Sequence, residues 1–101
     1  MDRSTPLKLI STTYTVDSIG QRIPTETART VFCDLQRITR QEFLAAGSLG
    51  LKPSWVAVMF SPDYEGEQLC EVNGERYSIY RTYRDRNERL ELYLERRQGT
   101  R

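Results

Sequence analysis

Hydrophobic and polar residues alternate along several short stretches of the chain, which is the spacing of β-strands with one buried face. A continuous apolar run at positions 55–60 is typical of a central strand covered on both faces. Pro24 cannot donate a ladder hydrogen bond, so the second strand either starts beyond it or runs along an edge there. The five or six predicted strands cover residues 7–16, 28–38, 55–60, 68–72, 75–83 and 89–96.

The dipeptide Asn73-Gly74 is the strongest turn signal in the chain. Both central residues of a type I′ turn need a positive φ angle, which Asn and Gly tolerate. A two-residue loop here sets Glu71 opposite Arg76, which places opposite charges across the ladder. The core face predicted for this hairpin and the last strand consists of Cys70, Val72, Tyr77, Ile79, Leu90, Leu92 and Leu94.

The segment between the second and third strands begins with a helix signal. Thr39 and Glu42 have the spacing of a capping box, in which the hydroxyl accepts a backbone N–H and the carboxylate reaches back. Gly47 supplies a C-terminal stop, so the helix has barely two turns and is not self-sustaining. Residues 48–53 are predicted to form a loop. The helix either plugs one end of the fold or is a mobile element that becomes ordered against a neighbour.

These elements predict a mainly β fold. Short strands with mostly short connections form a meander that curls into a small closed or partly open β-barrel of five to six antiparallel strands, with one short helix between strands two and three. Closure of the sheet removes exposed edge strands. A chain of 101 residues is too short for two hydrophobic cores, so residues 1–101 are predicted to form a single domain.

Charge and cysteine content narrow the class of protein. Fifteen basic and 14 acidic residues give a net charge of +1, which lacks the basic excess of proteins that grip DNA phosphates. The chain has no apolar signal core and no run approaching the roughly 18 residues of a membrane span, so we expect an unexported protein without membrane contact. Cys33 and Cys70 fall in apolar strand patterns and are expected to be buried thiols.

Motifs for catalysis are sparse. The chain has no histidine, the commonest general base and zinc ligand. Neither a phosphate-binding glycine loop nor a nucleophile motif occurs. Asp63, Glu65 and Glu67 could bind a divalent cation or supply an acid and a base, but without a full calcium loop a solvated loop is the simpler interpretation. We predict no enzymatic activity, no cofactor and no metal.

Tyrosines and arginines are concentrated in the C-terminal third. Nucleic-acid bases could stack on Tyr77, Tyr80, Tyr83 and Tyr93. Tyrosines at every second position of a strand are more simply explained by core or cross-strand packing. Glutamates in the same region also offset the positive charge of the arginines. We interpret the alternation of arginine and glutamate from position 84 to 97 as a solvated or subunit-contacting face.

Several strings in the second half of the chain resemble one known family. They are RQEF (40–43), GLKP (50–53), NGERYSIYRTY (73–83) and LELYLERR (90–97). In this order, they resemble the head-completion proteins of siphophages, also called head-tail joining or stopper proteins. The resemblance extends from about residue 31 to residue 97. Its most specific part is the tyrosine-rich hairpin together with the closing leucine strand.

The resemblance implies a structural role in phage assembly. Family members form a β-barrel ring, usually dodecameric, below the portal and its adaptor; the ring retains packaged DNA and provides the surface on which the tail docks. DNA passes without specific binding, which agrees with the near-neutral charge. Such a protein is located in the host cytoplasm during assembly and at the head-tail interface of the virion. Its partners would be further copies of itself, the adaptor and portal, and the tail terminator.

The family's channel gate is the loop between the second and third strands, which corresponds by position to residues 39–53. The implied gating residues are Thr39, Arg40, Glu42, Phe43, Leu49, Leu51, Lys52 and Pro53. Ring closure needs a heterologous interface, which we expect on the outward face of the final strand and the long loops. The expected contact residues are Arg89, Glu91, Tyr93, Glu95 and Arg97.

Two other functions compete with this interpretation. A stand-alone binding module of the SH3 or oligonucleotide-binding type would have a preformed aromatic groove. A metal-dependent enzyme would have carboxylates that converge in a concave pocket.

Overall fold

A computed structural model describes residues 4–96 as six strands, one α-helix and one 3-10 turn. The predicted class is confirmed: the strands are antiparallel and close into a barrel, and the short helix lies between the second and third strands. Within residues 4–96, no helix combines the length and hydropathy needed to cross a membrane. The elements are β1 (Thr5–Val16), β2 (Arg22–Arg37), α1 (Arg40–Gly47), β3 (Pro53–Phe60), the 3-10 turn (Ser61–Asp63), β4 (Leu69–Val72), β5 (Glu75–Arg84) and β6 (Arg89–Arg96).

The strand order differs from the predicted meander. Around the barrel the order is β1-β2-β3-β6-β5-β4, and β4 closes the circle against β1. Strand β3 pairs with β6 along nearly its whole length, because both strands have eight residues and carry matching apolar positions. Strand β4 has four residues and pairs with β1 at only three positions. The connection from residue 61 to 68 is long enough to carry the chain from β3 to β4.

The β4–β5 hairpin has the predicted register. Glu71 pairs with Arg76, and Cys70 pairs with Tyr77. Asn73 and Gly74 have φ angles of 53° and 81°, as a type I′ turn requires. The Asn73-Gly74 turn therefore determines how β4 pairs with β5.

The barrel interior is filled by alternate residues from all six strands. Six of the seven predicted core residues are buried, and the seventh, Ile79, is half-buried and packs against them. Cys33 and Cys70 are both free and buried, as predicted. Burial raises the pKa of the Cys33 thiol to about 11 and that of Cys70 to about 12, so neither thiol is a ready nucleophile. The remaining core residues are Leu7, Leu9, Val31, Cys33, Ala57 and Met59.

A two-stranded ribbon extends beyond the barrel, and we call residues 11–27 the arm. Strands β1 and β2 pair continuously from Thr5–Cys33 to Val16–Arg22, but β4 joins β1 only as far as Ile10, and β3 joins β2 only from Asp34 onward. The molecule is consequently elongated, with a longest extent of 50 Å and a radius of gyration of 15.0 Å. A compact chain of this length has a radius of about 13 Å.

Strand β2 starts at Arg22, so the expectation that it begins beyond Pro24 is wrong and the edge alternative is correct. Pro24 pairs with Tyr14 in the arm, where no third strand covers this part of β2. A proline is tolerated there because its missing N–H is on the unpaired side of the ribbon.

Candidate functional site

The projecting segment, which we define as residues 39–52, consists of α1 and the loop after it. Helix α1 lies against β3 outside the barrel wall, and Ala46 is its only buried residue. Glu42 and Leu51 are half-buried. The other predicted gating residues of the segment are exposed, and they are Thr39, Arg40, Phe43, Leu49 and Lys52.

The eighth predicted gating residue, Pro53, is not in the loop. It is buried, begins β3 and pairs with Glu95. A proline is permitted at the first position of a strand, where a ladder hydrogen bond can be spared. The boundary of the loop is therefore one residue earlier than predicted.

The helix ends differ in part from the predicted caps. The Thr39 hydroxyl accepts the Glu42 N–H at 3.2 Å, as predicted. The Glu42 carboxylate does not reach back, which corrects the second half of the capping box. Gly47 is still part of the helix, and the chain reverses at Gly50, where φ is 82°.

Glu42 instead attaches α1 to the barrel. Its carboxylate accepts the Tyr80 hydroxyl at 2.8 Å and also binds the Arg81 guanidinium, and only 14% of the Glu42 side chain is exposed. Burial and the bond to Glu42 raise the pKa of Tyr80 well above its usual range. Because the rest of α1 contributes one buried alanine, this carboxylate is the main polar attachment of the projecting segment.

The four tyrosines considered for base stacking do not share an open face. Tyr77 is buried in the core, whereas Tyr83 is exposed. Tyr80 and Tyr93 form a tilted ring pair at 6.3 Å, and Arg81 stacks on Tyr93 at 4.0 Å. Burial and the bond to Glu91 raise the pKa of Tyr93 to about 12. The two rings thus support the attachment of α1.

The predicted interface residues on β6 face outward and are half-buried. They lie between β3 and β5, which flank β6 on both sides. The Glu95 carboxylate accepts the Lys52 N–H at 2.9 Å and so holds the end of the projecting segment. Their contact with another subunit stays a prediction, and Arg97 lies outside the described residues. The residues placed by the structure are Arg89, Glu91, Tyr93 and Glu95.

The acidic loop is tied to the base of the arm. The Glu67 side chain is 5% exposed and accepts two hydrogen bonds from Arg29, at 2.8 and 3.1 Å, and one from the Glu65 N–H at 3.0 Å. Arg29 also donates to the Asp63 carbonyl at 2.7 Å. Within residues 4–96, no three acidic or cysteine side chains form a group that could hold a metal ion. Local sequence patterns did not connect Arg29 with the acidic loop, because Arg29 lies 34 or more positions before it.

Glu67→Gln is expected to destabilise the fold in a pH-dependent way. Burial alone would raise the pKa of Glu67, but Arg29 and two backbone donors outweigh it and hold this pKa below its usual range. The carboxylate therefore contributes stability above its unfolded pKa of about 4.3, and loses it as the pH falls through the lower folded value. We expect a deficit of about 1–3 kcal/mol at pH 7, reduced by the partial exposure of Arg29, that shrinks below pH 4.

Denaturant unfolding of wild type and variant from pH 7 down to pH 3 measures this difference. Glu65→Gln is the matched control, because Glu65 is largely exposed and 4.0 Å from Arg29. A pH-independent deficit, or an equal deficit for Glu65→Gln, would contradict the assignment.

Comparison with solved structures shows a shared fold. The solution structure of protein SF1141 from Shigella flexneri 2a has a TM-score of 0.79 and covers 97% of this chain and 96% of that chain. The two sequences are 13% identical, so the similarity concerns the fold alone. No family model matches the chain, and no curated protein matches it.

Proposed function

We propose that this protein is a structural head-completion, or stopper, component of a tailed phage. It forms a ring beneath the portal and adaptor, retains packaged DNA and provides the docking surface for the tail. It performs no catalytic step and needs no cofactor. The proposal starts from the resemblance of residues 31–97 to that family.

The observation that carries the proposal is the projecting segment outside a closed barrel. Phe43, Leu44 and Leu49 are all more than half exposed, and Leu49 reaches 78%. A barrel with a filled interior gains little from such residues, so a role outside the monomer explains them better. By position in the chain, this segment corresponds to the channel gate of the family that the sequence resembles.

The electrostatic balance also supports a conduit. A net charge of +1 would let a polyanion slide past, whereas a strongly basic lumen would hold it at low salt. The rival binding-module function is less favoured, because the Tyr80 and Tyr93 hydroxyls bind the carboxylates of Glu42 and Glu91. These carboxylates would repel phosphate groups beside any stacked base.

Disruption of the gene in the phage or prophage that encodes it is the test. The expected result is DNA-filled heads that lack tails or lose DNA, together with free complete tails, by electron microscopy. Normal particles after disruption would overturn the proposal. Tight binding of the purified protein to single-stranded DNA or RNA at moderate salt would favour the binding module instead.

Leu49→Ser is expected to separate function from folding. The side chain is exposed, so the free energy of unfolding should change by less than about 0.5 kcal/mol. Particle assembly should fall by orders of magnitude, because Leu49 is the most exposed large hydrophobic residue of the predicted gate. Tyr83→Ser, an exposed aromatic elsewhere on the barrel, is the control and should leave assembly normal. Unfolding of the Leu49→Ser monomer would contradict the gate assignment.

A further inference from the structure

The end of the arm is an apolar surface without a partner in the monomer. Ile19 is at the apex and is 77% exposed. Val16 pairs with Arg22, and Ile23 pairs with Thr15, so Val16 and Ile23 emerge from opposite faces of the ribbon. These three residues, which we call the tip, place one exposed apolar side chain on each face of the ribbon and one at its apex. Such a shape suits insertion into a concave surface.

The tip has a defined conformation. One oxygen of Asp17 accepts the Ile19 N–H at 3.0 Å and the Gln21 N–H at 2.8 Å. The Gly20 N–H donates to the Asp17 carbonyl at 3.1 Å, and Gly20 has a φ angle of 85°. These contacts form a three-residue hairpin loop with a left-handed glycine. Binding would therefore cost little ordering of this turn.

A second exposed apolar surface lies beside α1. It is a hollow on the side of the helix opposite Tyr80, and it includes two exposed apolar side chains, Phe43 and Leu44. Arg40 is the charged residue among those that line the hollow, and Asp17, beside Val16 of the tip, carries a negative charge. The nearest positive charge on the arm is that of Arg22, whose guanidinium stacks on the Tyr14 ring at 4.4 Å, away from the apex. Both surfaces are therefore apolar, and the charges beside them are opposite. The hollow is lined by Ile38, Thr39, Arg40, Phe43 and Leu44.

The tip and the hollow cannot meet within one chain. Strand β2 separates them, since the tip lies at its first residues and the hollow follows its last residue, Arg37. Sixteen strand residues span up to about 50 Å, which matches the longest extent of the molecule. Burial of the two surfaces against each other therefore requires two copies.

We propose that the tip of one copy inserts into the hollow of the next copy. This contact is heterologous, so each chain offers one tip and one hollow, and repetition generates a ring when the rotation closes. The inference deepens the proposed function, because it rests on the ring and names the contact that would build it. The contact would cover Thr39, Arg40 and Phe43 of the predicted gate. Leu49 lies on the other side of the helix, with Tyr80, and the contact would leave it uncovered.

Edge-to-edge pairing of two arms is the less favoured contact. Hydrogen-bonded and non-hydrogen-bonded residue pairs alternate along an antiparallel ladder. Asp17 and Gln21 form a hydrogen-bonded pair, so Tyr14 and Pro24, three positions further along, form a non-hydrogen-bonded one. Pro24 then faces the outer edge of β2, where it removes a donor. A strand added to this edge would lose a hydrogen bond at the middle of the arm.

Complementation between two variants tests the contact. Ile19→Asp inactivates the tip and keeps the hollow, whereas Leu44→Asp inactivates the hollow and keeps the tip. Tyr83→Asp is the matched control, with an exposed hydrophobic residue replaced away from both surfaces. Sedimentation velocity and native mass spectrometry follow each purified protein and the equimolar mixture up to about 1 mM, enough to populate a millimolar contact.

Wild type and Tyr83→Asp are expected to form trimers or larger species, and each single contact variant is expected to associate at least about tenfold more weakly. The mixture should form dimers of twice the 11.8 kDa chain mass and nothing larger, because only one tip and one hollow remain. A wild type that stays monomeric, a mixture without dimers, or a Leu44→Asp protein that associates like wild type would overturn the proposal.

Cross-linking checks the same contact in folded protein. Ile19→Cys and Leu44→Cys chains, mixed and oxidised, should give a covalent dimer that neither chain gives alone. The native thiols are buried and have raised pKa values, so they should not compete. Failure of these tests together with tailless particles after gene disruption would reject the contact and leave the proposed function standing.

Discussion

Leu92→Ala is expected to lower the free energy of unfolding by roughly 2–5 kcal/mol. Leu92 is fully buried in β6, and it pairs with Ala57 of β3 and Thr82 of β5. Truncation removes apolar contacts and leaves a cavity that a closed wall cannot easily collapse around. Small domains have a stability of only about 5–15 kcal/mol, so the change consumes a large share of it.

Denaturant unfolding measures this loss as a lower transition midpoint with an unchanged slope. Leu44→Ala is the matched control, because the same truncation at an exposed leucine should cost less than about 0.5 kcal/mol. Equal losses at both positions would show that β6 does not face a sealed interior.

Glu42→Ala is expected to release α1 while the barrel stays folded. Tyr80 and Arg81 lose their shared carboxylate, and the helix keeps Ala46 as its one buried residue. Eight residues do not sustain an isolated helix. Hydrogen exchange of the α1 amides should accelerate by about 10- to 100-fold, which corresponds to about 1.4–2.7 kcal/mol of local stability.

Gln41→Ala is the control for this variant, because Gln41 is exposed and lies beside Glu42 in the same helix. Its exchange should differ little from that of wild type. If Glu42→Ala instead lowered global stability as much as Leu92→Ala, the projecting segment would be part of the barrel's folding unit.

Local sequence signals predicted the elements whose partners are near in the chain. Asn73-Gly74 determined the register of β4 and β5 because a two-residue turn leaves one pairing. The leucines of β6 alternate without interruption, so its inward face could be assigned. Thr39 could be recognised as the helix cap because its partner is three residues away.

Hydrophobic alternation predicted the first strand of the arm, within residues 7–16, but not residues 22–27 of β2, which are exposed and mostly polar. The signal was the turn itself: Asp17 and Gly20 imply a three-residue loop, and this register continues to Tyr14–Pro24 and Leu9–Arg29. This pairing was missed because Pro24 indicates a possible start of the second strand, which in fact begins at Arg22.

Contacts between distant elements were beyond local reasoning. The capping-box spacing explains Glu42 within its own helix, but Tyr80 lies 38 positions away and the charged Arg81 attracts the same carboxylate. Arg29 and Glu67 meet because the loop after β3 crosses the end of the barrel beside the arm. The pairing of β3 with β6 depends likewise on matching lengths across the whole sheet.

The central physical claim is that a sealed barrel carries two surface elements on which its stability does not depend. Residue-resolved hydrogen exchange of dilute, monomeric protein tests it most directly. Amides of β3 and β6 should exchange only with global unfolding, whereas those of the arm and α1 should exchange at least about 100-fold faster through local opening. Arm and helix amides that are protected as strongly as those of β6 would contradict the account.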